Sequence, residues 1–142
     1  PYHRNIRKEI SKSPVLYFTD LGLRNFSSGQ FGRHTMFSEM GFLFQNLIYR
    51  LLQEKIKDEG GTLHFWRTKD RAEVDFIIDK GSEVIPVEVK CREMKDKALA
   101  RSLRGFISKY SPKEAWVVNV SFKDEEKIRQ TVIKFIPVFE LI

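Results

Sequence analysis

A chain of 142 residues is the size of one domain with one core. Hydrophobic residues at 42% and charged residues at 31% exclude intrinsic disorder, and no apolar run reaches the roughly 18–20 residues of a membrane span. A net charge of +6 permits a nucleic-acid partner without requiring one. The opening residues are polar and basic, unlike a signal peptide, and the single cysteine, Cys91, favours a reducing, cytoplasmic setting with no membrane. Because the chain starts without Met, residues 1–142 are expected to be one domain cut from a longer protein, with residues 1–14 as a tether or docking segment.

Val15-Leu-Tyr-Phe18 reads as a short strand closed by Thr19-Asp20, and Asp20 can cap a helical turn through Leu23 and Phe26. Ser27–Gln30 and Gly32 read as a loop. From about Thr35 to Lys57, Phe37, Met40, Phe44, Leu47, Ile48, Leu51 and Leu52 recur at helical spacing and predict one apolar face, ended by Gly60-Gly61. Strands are predicted over Thr62–Arg67, Glu73–Asp79 and Glu83–Lys90, the last two joined by a hairpin turn at Lys80-Gly81-Ser82. A helix from about Asp96 to Tyr110 follows, with Leu99, Leu103, Phe106, Ile107 and Tyr110 facing in. Ala115–Val120 reads as a strand covered on both faces. A polar helical or loop segment then leads to a last strand near Thr131–Ile136. This order of helix, three strands, helix and strand predicts an α/β fold with a mixed sheet flanked by helices.

The chemistry lies in Glu73-Val-Asp75 and Val87-Glu88-Val-Lys90. Side chains alternate along a strand, so Glu88 and Lys90 share a face. With a two- or four-residue hairpin loop Asp75 joins them, whereas one bulge residue breaks the parity. Two carboxylates and an ammonium make a poor core but a good seat for Mg²⁺ or Mn²⁺, which take oxygen ligands. Such a metal activates water and neutralises phosphodiester charge, with the lysine assisting. The same residues also admit a plain reading, a surface ion pair between Glu88 and Lys90 on an amphipathic strand. Against that stand Val84, Ile85, Val87 and Val89, which make the strand apolar on both sides.

Val15–Asn25, Gly41-Phe-Leu-Phe-Gln-Asn-Leu47, Phe65-Trp-Arg67 with Glu73-Val-Asp-Phe76, Pro86-Val-Glu-Val-Lys90 and Ile136–Leu141 occur in one order along the chain. Together they resemble a domain of unknown function found C-terminal to an AAA-type P-loop ATPase in bacterial and archaeal proteins, usually assigned to the PD-(D/E)XK nuclease-like superfamily. The resemblance implies a restriction-endonuclease-like fold, Asp75 and Glu88 as metal ligands, Lys90 as the catalytic ammonium, and an ATP site only in an N-terminal part outside this sequence. The family usually carries glutamate where this chain has Gln45. An amide oxygen brings no charge and should hold Mg²⁺ more weakly, which puts cleavage in doubt.

Lys97, Arg101 and Arg104 oppose the apolar face of the second long helix and could follow a phosphate backbone, or form a solvated face. Trp66-Arg67 could stack on a base or pair with a carboxylate, the plain reading being a packed strand residue beside a salt bridge. His3, His34 and His64 show no zinc spacing, and Cys91 reads as a small core residue. Three functions follow: a metal-dependent endonuclease, a nucleic-acid-docking module without cleavage, or a protein-interaction domain serving an ATPase module or a second copy in a homo-oligomer.

Overall fold

The computed structural model describes Tyr2 and residues 15–27, 29, 37–68 and 70–142, with side chains in the first long helix from residue 39. The expected tether over residues 1–14, the loop around Gly32 and the helix start at Thr35 lie outside the described residues, apart from Tyr2. The Tyr2 N–H donates to the Phe65 carbonyl, and its ring is buried near Phe106 and Tyr110.

Helix α1 spans Leu21–Ser27, started by the Asp20 carboxylate, which accepts the Leu23 N–H at 2.9 Å. Residues 15–18 do not form the expected strand. The Asn46 side chain takes the place of a strand neighbour: Phe18 N–H donates to Asn46 Oδ1 at 2.8 Å, and Asn46 Nδ2 donates to the Phe18 carbonyl at 2.6 Å.

Helix α2 spans Phe37–Glu59 and buries Ile48, Leu52 and Ile56. Its apolar stripe is narrower than the sequence suggests. Met40 and Leu47, expected to face inward, are 46% and 37% exposed because the seam runs along the i, i+4 ridge of Phe44, Ile48 and Leu52. Gly61 turns the chain into the sheet with φ +134°, and a Cβ there would lie 2.9 Å from the Asp79 carbonyl oxygen.

Strands β1 (Thr62–Arg67), β2 (Glu73–Asp79) and β3 (Val84–Lys90) form an antiparallel meander. Asp79 faces Val84, so residues 80–83 form a four-residue loop, closed by Lys80 N–H donating to the Glu83 carbonyl at 2.9 Å. Helix α3 (Arg101–Tyr110) carries the chain to β4 (Glu114–Asn119), parallel to β3. This helix starts five residues later than expected from Asp96, since the Asp96 carboxylate accepts the Ala98 N–H and Ala100 is extended. Residues 124–128, read as helix or loop, instead form edge strand β5 (Asp124–Ile128), antiparallel to β6 (Thr131–Pro137). Charges at Asp124, Glu125, Glu126 and Lys127 suit an open edge, where solvent takes the polar side chains.

The result is a six-stranded mixed sheet in the order β1-β2-β3-β4-β6-β5, flanked by helices. One core layer, between the sheet and α3, holds Trp66, Val74, Ile77, Leu103, Phe106, Val117 and Phe135. The other, beneath α2, holds Ile48, Leu52, Phe76, Ile78, Ile85, Val87, Trp116 and Val118. Successive β4 residues enter opposite layers, as expected of a strand covered on both faces. No helix among the described residues is long and apolar enough to cross a membrane.

Candidate functional site

The β1–β2 register sets His64 opposite Ile77 but Trp66 opposite Val74. One residue on β1 therefore faces two on β2, Asp75 and Phe76, which is a β-bulge. The side chains record the slip: Val74 enters the α3-side core and Phe76 the α2-side core, although they are two residues apart.

The bulge re-aims Asp75. Its Oδ1 accepts from Gln45 Nε2 on α2 at 3.0 Å, and its Oδ2 accepts the Val89 N–H at 2.8 Å. Gln45 Nε2 also reaches the Tyr17 hydroxyl at 3.3 Å. Glu88 and Lys90 alternate with Val87 and Val89, which pack beneath α2, so they project from the opposite face of β3. The expectation that all three share one face is thus corrected by the bulge, with Asp75 on the α2 side and Glu88 and Lys90 on the α3 side.

They still form one electrostatic group. Lys90 Nζ lies 2.6 Å from Glu88 Oε1 in a partly buried ion pair. Glu88 is buried, and its Oε2 has no hydrogen-bond partner among the described residues. Leaving such an oxygen unsatisfied costs about 1–3 kcal/mol. Burial, and secondarily the Glu88 charge, push the Asp75 carboxyl up to about 7, against the opposing pull of the Val89 N–H and Lys90. Burial first, then the Asp75 charge, also raises the Tyr17 hydroxyl well above the usual tyrosine range.

Among the described residues, no three or more His, Cys, Asp or Glu side chains gather as a ready metal cage. The donors are two carboxylates on β2 and β3, which suit a hard divalent cation, and the amide of Gln45 on α2, whose nitrogen faces Asp75. Glu88 Oε2 is an acceptor without a partner among the described residues.

The basic residues do not converge as a group. Arg67 is held by Glu73 through Nε and Nη2 at 2.8–3.1 Å. Lys97 pairs with Asp124 at 2.9 Å and donates to the Glu125 carbonyl at 3.0 Å. Arg101 and Arg104 stand exposed on α3. The sequence reading missed Tyr17, Asn46 and Asn119. Asn119 lies opposite Lys90, is fully buried, and its Oδ1 accepts the Ser121 and Phe122 N–H groups beside the site. A polar residue ending the apolar run Ala115–Val118 was the available signal for Asn119.

No curated protein matches the chain. Among solved structures, a chain of the tetradecameric Thermococcus gammatolerans assembly of McrB AAA+ hexamers with bound McrC is similar at 19% identity and a TM-score of 0.49. The likeness covers 67% of this chain but only 27% of that one. A family model described as a domain of unknown function, DUF4143, matches residues 40–141. Spanning most of the sequence, that match shows that the chain belongs to the DUF4143 family.

Proposed function

We propose that the chain is a Mg²⁺- or Mn²⁺-dependent nuclease-like domain of the PD-(D/E)XK type, with a restriction-endonuclease-like core, serving as the C-terminal module of a cytoplasmic AAA-type ATPase. The observation that carries this reading is the buried Glu88 Oε2, unpartnered among the described residues, in the same electrostatic group as Asp75. Although they leave the strands on opposite faces, Asp75 and Glu88 lie one residue beyond Phe76 and Val87, the last paired positions of β2 and β3. They would hold the cation where those strands part, with the Gln45 amide oxygen as a weaker neutral ligand. When bound, the cation supplies Lewis acidity toward a phosphodiester and a water of lowered pKa. Lys90, partly exposed and already beside Glu88, offers an ammonium to neutralise charge developing on phosphate. Incubating plasmid DNA and a structured RNA with the protein in Mg²⁺ or Mn²⁺ tests this. Cleavage should appear and be lost in Lys90→Ala; equal cleavage by that variant would sink the assignment.

Gln45 favours a second reading, a docking module without cleavage. It turns an amide nitrogen, not an added carboxylate, toward Asp75. That module would bind nucleic acid without cutting it, in a salt-sensitive manner that depends on Arg101 and Arg104. Lys97 enters this surface only by giving up its pair with Asp124. Binding unchanged in the Arg101→Ala, Arg104→Ala double variant would exclude the docking reading.

A further inference from the structure

Strands β5 and β6 are joined by a two-residue turn, since Ile128 faces Thr131 and only Arg129 and Gln130 lie between. Arg129 takes φ +56° there. A positive φ at the first position of such a turn is where glycine is usually found, and a long side chain there carries a backbone cost that glycine avoids. Strain kept at one residue calls for a use of its side chain.

The surroundings supply one. Arg129 and Arg104 line a pocket of about 150 Å³ with Ser108, over a floor of Ile107 and Ile128. Arg104 and Ser108 come from consecutive turns of one face of α3, with Arg101 one turn before them. Among the described residues neither Arg104 nor Arg129 forms an ion pair, whereas Arg67 and Lys97 each do. Two unneutralised guanidiniums and a hydroxyl around a small concavity match the oxygens of a phosphate group.

We propose that Arg104, Ser108 and Arg129 form a phosphate-binding site that holds the backbone of a polynucleotide away from the carboxylate–lysine cluster. Lys90 lies level with Asn119, and Asn119 with Pro137, the far end of β6 from Arg129. The two sites are thus roughly 20 Å apart along the strands, with Glu88 and Lys90 of the cluster on the same α3 face as the pocket. The inference rests on the reading of this domain as one that engages nucleic acid, but it needs neither metal nor cleavage.

The test is fluorescence anisotropy of a labelled 20-nucleotide single strand in EDTA, across a salt series, for the parent and for Arg104→Gln and Arg129→Gly. Each variant should bind about tenfold more weakly and lower the log–log salt slope by about one. Arg129→Gly should also raise Tm by a few degrees, since it relieves the turn, so weaker binding there cannot come from misfolding. Parent-like binding by both variants, or no binding by the parent, overturns the site. Millimolar inorganic phosphate that protects the parent against thermal unfolding, with oligonucleotide affinity unchanged by the variants, would assign the pocket to free phosphate and overturn the polynucleotide claim. Because no metal is present, loss of the proposed nuclease chemistry would leave these results untouched, and failure here would leave the metal site standing.

Discussion

Gln45 Nε2 donates to Asp75 Oδ1 at 3.0 Å across the gap between α2 and β2. That contact satisfies one oxygen of a carboxylate whose burial already disfavours its charge, and it does so with a neutral group. A glutamate at this position would present an oxygen to an oxygen.

Gln45→Glu is therefore expected to destabilise the metal-free protein at pH 8 by about 1–2 kcal/mol, through lost hydrogen bonding and like-charge repulsion. With Mg²⁺ the sign reverses: a third carboxylate should tighten binding by about tenfold. Thermal unfolding in EDTA and at several Mg²⁺ concentrations reads both effects, and equal responses of parent and variant would count against a cation at this position.

Asp75 also sets a pH dependence. Its carboxyl is raised to about 7 in the folded state, against about 3.9 unfolded, so the fold keeps a proton that the unfolded chain has released. The associated stability is fully present below about pH 4 and is lost as pH rises through about 7. Asp75→Asn should match the parent near pH 4 and exceed it at pH 8, on the order of 1–2 kcal/mol after allowing for partial solvent screening. Denaturant titrations in EDTA at the two pH values check it. A variant less stable than the parent at pH 8 would show that the Asp75 charge is stabilised, contrary to this reading.

Asn46 is fully buried and holds both polar groups of the Phe18 backbone. Asn46→Ala should cost about 2–3 kcal/mol, because those groups lose their partners. Hydrogen exchange should rise at Phe18, and Tyr17, held beside Gln45, should lose its stacking on Tyr49. Unchanged exchange at Phe18 would refute the role of Asn46 as its anchor.

Gly61→Ala combines a strained φ with a Cβ 2.9 Å from the Asp79 carbonyl oxygen. A loss of about 2–3 kcal/mol in urea unfolding is expected, since backbone on both sides has to move. A loss below 0.5 kcal/mol would show that the α2–β1 corner relaxes freely.

The elements whose signal is local were legible in the sequence. The β2–β3 hairpin followed from Lys80-Gly81-Ser82 between apolar runs, and the shared face of Glu88 and Lys90 followed from the pleat. The bulge at Asp75 and Phe76 was not legible, because it depends on how β1 meets β2 and leaves no mark in the β2 residues. Strand β5 escaped because four charged residues in a row show no apolar period, and β6 alone makes them a strand. Tyr17 and Asn46 escaped because their roles join segments 28 residues apart. Gln45 was identified from a resemblance in sequence, yet its partner Asp75 became visible only in three dimensions.

The most direct measurement is calorimetric titration of Mg²⁺ and Mn²⁺ into the protein at pH 8, where Asp75 is mostly ionised, beside an Asp75→Ala control. One-site binding by the parent that disappears in the control is the expected result. No binding by the parent, or equal binding by both proteins, would contradict a metal site built on Asp75 and Glu88.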